Sequence, residues 1–235
     1  MYSLLLKFKA PLQAWGADSR FKTRATNNEP TKSGVIGMVA AALGRGRDES
    51  VDDIAELRFA VRTDYPGTLE RDYQTARNWF DPREKNSQLS NRYYLADAVF
   101  LVALSSPDKA LLEEVEAALR RPYYPLYLGR RSCPANADLV LGIEAGDGEE
   151  RLRAAEWHAP EWVQKQLPQL VSLPISRDAE PGEPSDTLRD TPVSFNPEYR
   201  QYALRSVFRA EPLEVQNPLG QALENDDYMQ EVREA

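Results

Sequence analysis

Two adjacent arginines, Arg130 and Arg131, lie in a short stretch of sequence between Gly129 and Pro134. A guanidinium group carries five N–H donors in a planar fork that fits phosphate oxygens and can stack on a base. Glycine adopts backbone angles that other residues avoid, and proline ends regular strand pairing. These residue types predict a loop that presents two cations to a polyanion, although a surface loop with structural arginines has the same composition.

The charge around this loop differs from that of the chain as a whole. Residues 120–131 contain four arginines, three tyrosines including Tyr127 and no acid, whereas the 235-residue chain has a net charge of −8. Residues 1–47 have a charge balance of +6, and residues 211–235 have a balance of −6. A phosphate backbone responds to the local field rather than to the net charge. The acidic total therefore does not exclude a nucleic-acid partner, and the acidic tail is either solvated or faces a basic partner.

Two further segments, residues 10–32 and 71–92, combine cations with aromatic side chains. Their candidate contacts to nucleic acid are Arg20, Arg24, Tyr73, Arg77 and Trp79. Aromatic side chains with neighbouring arginines grip single-stranded bases by stacking and by cation–π contact. Because a long loop in a compact domain is usually functional or disordered, these residues favour a functional loop over residues 10–32.

The start of the first predicted helix is a separate candidate for binding a phosphate. Lys32 and Ser33 open this helix, but Asn27, Asn28 and Glu29 stand where a nucleotide-binding loop needs glycine. Nucleotide hydrolysis at this position is therefore excluded. The free N–H groups and partial positive charge of a helix N-terminus can still hold one phosphate, and a plain cap is equally consistent with the sequence.

The chain offers little material for catalysis or metal binding. It has one histidine, His158, and one cysteine, Cys133, whereas metal sites and nucleophile–base pairs usually need more. Carboxylates adjacent in sequence, such as Asp226 and Asp227, point apart and form no shared acid–base site. We therefore predict no catalytic residue, no metal and no cofactor. Since tyrosine and lysine can also act as acid and base, a metal-independent endoribonuclease stays the alternative.

Composition indicates the cellular compartment. The chain is 42% hydrophobic and 28% charged, which is typical of a soluble globular protein. No apolar run approaches the roughly 20 residues of a membrane span, and the first residues lack a signal-peptide pattern. A single cysteine excludes a disulfide framework. We therefore expect a cytoplasmic protein with no membrane partner.

The hydrophobic pattern predicts the elements that position these residues. Apolar alternation and helical spacing predict, in order, a strand at 3–8, a helix at 33–43, strands at 57–63 and 96–104, a helix at 107–120 and a strand at 139–143. In the second helix Ser106 is the predicted cap, followed by Pro107. This order matches the ferredoxin-like unit of RNA-recognition domains, an α+β fold.

Residues 151–235 form the second part of the predicted organisation. They are rich in proline and acids, and short strands are expected near 169–175 and 203–209. We therefore predict an RNA-recognition-motif-like domain over residues 1–150, followed by a small β-rich C-terminal extension over 151–235 that ends in the acidic tail.

Four motifs resemble one known family. They are residues 11–16 (PLQAWG), residues 30–34 (PTKSG) leading to 40–44 (AAALG), residues 71–73 (RDY) and residues 128–134 (LGRRSCP). In this order and with similar spacing they are similar to the CasD family of CRISPR-associated proteins, which are subunits of the type I-E Cascade surveillance complex. The resemblance covers residues 1 to about 143.

The resemblance implies a function. Members of this family have an RNA-recognition-like fold with a protruding hairpin, or thumb, which corresponds to about residues 71–92 here. They bind the 5′ handle of the CRISPR RNA, cap that end of the backbone, and contact the adjacent backbone subunit and the large subunit that reads the PAM. The RNA-lining residues implied by the motifs are Arg24, Lys32, Ser33, Tyr73, Arg130, Arg131 and Ser132. In type I-E systems a separate subunit cuts the precursor RNA, whereas a type I-C relative does so itself.

Overall fold

The computed structural model of the chain describes residues 1–16, 23–76 and 88–221. The strands are β1 (Tyr2–Lys9), β2 (Leu12–Gln13), β3 (Trp15–Gly16), β4 (Thr23–Arg24), β5 (Thr26–Asn27), β6 (Arg58–Tyr65), β7 (Thr68–Ala76), β8 (Gln88–Ala96), β9 (Val99–Ser106), β10 (Val140–Ala145), β11 (Leu170–Asp178), β12 (Asp186–Ser194) and β13 (Gln201–Gln216). The helices are α1 (Lys32–Ala42), α2 (Asp52–Ala55), α3 (Lys109–Arg120), α4 (Gly148–Ala154) and α5 (Glu161–Gln164). The acidic tail beyond residue 221 and residues 77–87 of the predicted thumb lie outside the described residues.

One large antiparallel sheet organises the fold. Its seven strands lie in the order β10-β1-β9-β6-β11-β13-β12, and every neighbouring pair is antiparallel. The predicted sequence of elements over the first 145 residues is present as β1, α1, β6, β9, α3 and β10. The fold is thus a mixed α and β architecture with few helices, as predicted.

Helices cover both faces of this sheet. Leu4, Leu6 and Phe8 of β1 point into the core that contains α1 and α3, because side chains alternate between the faces of a strand. On the other face Leu5 packs with Leu152 of α4. The start of α4 lies so close to β9 that a Cβ on Gly148 would sit 2.9 Å from the Ser105 Oγ. The second face of the sheet is therefore covered at its centre.

The last three strands continue the same sheet. Strand β11 pairs with β6, with Ser176 opposite Val61, so residues after 150 are hydrogen-bonded to the first half of the chain. The expected short strands are longer than predicted, spanning Leu170–Asp178 and Gln201–Gln216. Strand β12 was not predicted, because Pro192 interrupts its pattern. It is an edge strand, where proline is tolerated.

Buried ion pairs join the C-terminal strands to α1. Arg205 of β13 donates to the Asp190 carboxylate from Nε and Nη2 at 2.8 and 2.7 Å, and to Asp178 at 2.8 Å. The Lys32 ammonium lies 3.1 Å from Asp178. Because Lys32 lies 146 residues before Asp178 in the sequence, the network couples the two halves of the fold.

Both long helices begin at side-chain caps. The Thr31 side chain accepts a hydrogen bond from the Gly34 N–H at the start of α1. The cap of α3 is Asp108, whose carboxylate accepts from the N–H groups of Ala110 and Leu111, so the prediction that Ser106 caps this helix is wrong. Asp108 has an acceptor that reaches two free N–H groups of the first turn, whereas Ser106 accepts only from the Asp108 N–H. None of the described helices is long and apolar enough to cross a membrane.

A second, smaller sheet is built around the hairpin of β7 and β8. The two strands pair antiparallel from Thr68 opposite Ala96 to Ala76 opposite Gln88. Strand β8 is also flanked by β2, antiparallel, and by β4, parallel. The base of the hairpin is therefore surrounded by segments from the loop over residues 10–32.

Candidate nucleic-acid interface

Residues 127–134, here called the arginine loop, form a closed turn with a fixed position. Tyr127 and Pro134 form an antiparallel bridge, and the Leu128 N–H donates to the Cys133 carbonyl at 2.7 Å. Gly129 has a φ of +90°, and a Cβ there would lie 1.6 Å from the carbonyl oxygen of Ala14. Only glycine can occupy this position, so the loop packs directly against the residue before β3.

The cysteine in the arginine loop is packed rather than reactive. Cys133 is 1% exposed, and burial raises the pKa of its thiol. A raised thiol pKa lowers the fraction of nucleophilic thiolate. This side chain therefore anchors the loop in the core.

The Arg130 guanidinium bonds two other segments to the arginine loop. Its Nη1 donates to the Tyr93 carbonyl at 3.0 Å, and its Nη2 donates to the carbonyls of Arg24 and Ala25 at 2.8 and 3.2 Å. Its charged carbon lies 4.8 Å from the centre of the Tyr94 ring. We call this set of contacts the arginine clasp. The clasp joins β4, β8 and the arginine loop. It occupies guanidinium N–H groups that could otherwise donate to a phosphate.

Arg131 and Ser132 stand at the exposed tip of the arginine loop. Both side chains are exposed, and the Ser132 Oγ lies 3.3 Å from the Tyr94 hydroxyl. The sequence suggested two equivalent arginines, but the structure separates them into a clasped residue and a solvent-facing one. Tyr127 is half-buried at the end of the loop.

Arg24 and Arg92 lie side by side at the base of the hairpin. Strands β4 and β8 pair in parallel with these two residues opposite each other. The sequence analysis selected Arg24 but missed Arg92. The available signal was its spacing from Tyr94, since residues two apart on a strand share a face.

The cations of this region lack acidic partners among the described residues. Elsewhere in the described chain many arginines pair with carboxylates, as Arg62 does with Asp64 and Arg177 with Glu149 and Glu183, although Arg47, Arg121, Arg189 and Arg200 stand outside such pairs. Within residues 1–16, 23–76 and 88–221, no carboxylate lies within 4.0 Å of the charged groups of Arg24, Arg71, Arg92, Arg130 and Arg131. We call these five residues the arginine cluster. In an acidic protein they are a local concentration of uncompensated positive charge.

The opposite face of the hairpin is aromatic and apolar. Tyr73 of β7 is 59% exposed, and so is Leu69, which lies four residues earlier on the same face of the strand. Leu89 of β8 is 46% exposed. Arg71 lies on this same face, because it alternates with the residues facing the other way. The hairpin base therefore carries cations and an exposed ring within one short stretch.

The predicted phosphate site at the start of α1 is occupied by a carboxylate of the protein itself. The backbone N–H of Lys32 donates to the Asp190 carboxylate at 2.9 Å. The Lys32 side chain is buried and paired with Asp178, while Ser33 is half-buried. Asp190 takes the position where an external anion would bind, so this geometry does not support Lys32 as an RNA contact.

Three of the predicted contacts, Arg20, Arg77 and Trp79, lie outside the described residues. The remaining sequence candidates divide into those at the arginine loop and hairpin and those at the start of α1. Only the first group is brought together around uncompensated charge.

The histidine is positioned by a different part of the fold. The His158 backbone N–H donates to the Asp64 carboxylate at 2.7 Å, and the Trp157 indole donates to the Asp64 carbonyl. Burial lowers the pKa of His158. The described residues contain no group of three or more His, Cys, Asp and Glu side chains placed to hold a metal ion.

Comparisons with known proteins agree over most of the chain. The sequence pattern of the family described as CRISPR-associated protein (Cas_Cas5) matches residues 3–208. The CRISPR system Cascade subunit CasD of Escherichia coli (strain K12) is 38% identical over 167 residues, which are 63% of this chain and 75% of that protein. The family match extends well beyond residue 143, where the sequence motifs end.

Two solved structures share the fold. One, described as a CRISPR RNA-guided surveillance complex, has a TM-score of 0.77 at 30% identity and covers 99% of this chain and 98% of the other. The second, described as the crystal structure of a Cas protein, has a TM-score of 0.65 at 33% identity and covers 94% and 98%. The large antiparallel sheet with few helices is therefore an architecture found in these related structures.

Proposed function

Because this chain belongs to the CRISPR-associated (Cas_Cas5) family, we propose that it is a non-catalytic RNA-binding subunit of a type I-E CRISPR surveillance complex. It binds the 5′ handle of the CRISPR RNA and caps that end of the protein backbone. Its protein partners are the adjacent backbone subunit and the large subunit that reads the PAM. The relative that is itself a Cascade subunit and the similarity to a chain of a surveillance complex support this assignment.

The arginine cluster is the observation that carries the RNA-binding proposal. Guide-RNA complexes leave target recognition to base pairing, so their protein subunits hold the RNA backbone and its ends. That task needs guanidinium forks and stacking aromatics. Arg24, Arg92 and Arg131 supply the guanidinium groups, and the exposed Tyr73 supplies a ring on the other face of the same hairpin.

The fold supports the same location for the RNA. Strands β10, β1, β9 and β6 lie in the order fourth, first, third, second, which supports a ferredoxin-like unit. RNA-recognition domains of this type stack bases on the open face of the sheet. Since α4 packs on that face here, the RNA binds instead at the hairpin and the arginine loop.

Binding of repeat-derived RNA tests the proposal. Arg131→Ala should weaken binding and make the logarithmic salt dependence shallower by about 0.7, the slope for one phosphate contact on a single strand. Arg189→Ala on β12 is the matched control, because it removes an exposed arginine from the edge strand of the large sheet, whereas the hairpin belongs to the smaller sheet. Equal affinity and slope for wild type and Arg131→Ala would remove this residue from the interface.

Incubation of the purified chain with repeat RNA tests the absence of catalysis. We expect no site-specific cleavage, with or without a divalent metal. Tyr127 is half-buried in the bridge to Pro134, and His158 is held beside Asp64, so neither described side chain stands free among the arginines. Cleavage that disappears in His158→Ala or Tyr127→Phe would favour the endoribonuclease instead.

A further inference from the structure

We propose that Arg24 and Arg92 together form a subsite for a single phosphate of the bound RNA, held in position by the Arg130 clasp. The inference deepens the proposed RNA-binding function and rests on it. It adds a ligand-binding role for Arg92 and separates the phosphate contacts from the residue that positions them.

The strand register places the two guanidinium groups on one face. Arg24 and Arg92 are directly opposite each other in the parallel pairing of β4 and β8. Opposite residues of paired strands point to the same side of a sheet. Tyr94, two residues after Arg92, lies on that side as well, and Arg130 stacks on its ring. Three guanidinium groups therefore occupy one face of a short two-strand ladder.

This arrangement costs free energy when no anion is present. Like charges directly opposite each other destabilise a strand pair. The acid nearest in register is Asp72, opposite Arg92 on β7, but its carboxylate accepts a hydrogen bond from the Gln74 amide and, among the described residues, forms no ion pair with Arg92. The sequence therefore keeps two adjacent cations without a described acidic partner.

The burial of Arg92 indicates where the anion would bind. Arg92 is half-buried, and its Nε is shielded from solvent with no hydrogen-bond partner among the described residues. A buried donor without an acceptor destabilises the folded protein, and an anion that reaches this position would remove that cost. Arg24 remains exposed and can approach the same anion from solvent.

A phosphodiester matches the geometry of two guanidinium groups. It has two non-bridging oxygens, and each planar fork donates to oxygen with directional N–H groups. The clasp fixes the distance between the two strands, because Arg130 donates to the Arg24 carbonyl on β4 and to the Tyr93 carbonyl on β8. Arg130 is thus a positioning residue, and the contacts to the phosphate come from its two neighbours.

A neutral-phosphate scan tests the subsite. Repeat-derived RNA is prepared with one methylphosphonate at a time, and its affinity is measured for wild type, Arg92→Gln and Arg24→Gln. In wild type we expect one position whose neutralisation weakens binding about tenfold, since it removes hydrogen bonds between the guanidinium groups and a charged oxygen. In either variant, neutralising that same phosphate should cause little further loss. Arg189→Gln is the control and should leave the wild-type pattern unchanged.

The outcomes separate the subsite from the proposed function. If wild type binds the RNA but no single phosphate depends on Arg24 and Arg92, the subsite is wrong and the RNA-binding function stands. If wild type has no affinity for the RNA, both the subsite and the RNA-binding function are wrong. Should Arg92→Gln fail to fold by its melting curve, Arg92→Lys keeps the charge and loses the fork. That variant should keep the same sensitive position with a smaller loss, and a changed position would overturn the proposal.

Discussion

At the scale of single residues, Arg130 and Arg131 have the same chemistry and different surroundings. Arg130 donates to backbone carbonyls of two separate segments, whereas among the described residues Arg131 makes no side-chain hydrogen bond. The sequence shows two adjacent guanidinium groups between a glycine and a proline, and it carries no information on which carbonyls will lie beside them. Which carbonyls lie beside each arginine depends on the parallel pairing of β4 with β8, and these two strands are far apart in the sequence.

Hydrogen exchange in the RNA-free protein distinguishes the two arginines. Arg130→Ala should increase amide exchange in residues 23–27 and 88–96, because it removes the bonds that hold β4 against β8. Arg131→Ala should leave exchange in both segments at the wild-type level and is the matched control. Equal exchange in the two variants would show that the clasp does not hold the hairpin base.

Gly129 provides a second prediction at this scale. Gly129→Ala should lower the free energy of unfolding by more than Gly182→Ala, measured in urea. The two glycines have nearly the same φ, +90° and +92°, so both variants carry similar backbone strain, but a Cβ at Gly182 meets nothing within 4 Å. The difference therefore isolates the contact with Ala14, and equal losses would mean that the loop moves away without cost.

At the scale of elements, local patterns predicted the order of strands and helices well and their partners poorly. The apolar face of β1 and the amphipathic α3 are local signals, and both elements lie where the pattern placed them. The surroundings of Lys32 were not predicted, because its acidic partners, Asp178 and Asp190, come from strands more than 140 residues later. The local sequence shows no acid that would bind the N-terminus of α1, but the tertiary structure brings the Asp190 carboxylate to it.

The buried pairs of these strands make a stability prediction. Arg205→Ala should lower the free energy of unfolding by about 3–5 kcal/mol, since it leaves the buried Asp190 carboxylate without its cation and the half-buried Asp178 with Lys32 alone. Arg200→Ala is the control, because Arg200 is exposed before the same strand. A loss below about 1 kcal/mol for Arg205→Ala would mean that the network adds little to the joining of the two halves.

At the scale of the whole molecule, positive and negative charges are concentrated in different regions instead of being evenly distributed. Acidic residues pair with many cations of the described chain, whereas the arginine cluster around the hairpin has no acidic partner among the described residues. The same seven-stranded sheet runs from β10 to β12, so the segment after residue 150 supports the first half through β11. Within the described residues, a continuous sheet and an arginine cluster without acidic partners suit the proposed RNA-holding role, and we expect this cluster to face the RNA in the assembled complex.

Photo-crosslinking in the assembled complex tests this account most directly. The complex is reconstituted with CRISPR RNA that carries 4-thiouridine either in the 5′ handle or in the spacer, and crosslinked peptides of this chain are identified by mass spectrometry. We predict handle-dependent crosslinks in residues 23–27, 68–76, 88–96 and 127–134. Crosslinks that come only from the spacer, or that fall on β12 and β13 instead of the hairpin base, would contradict it.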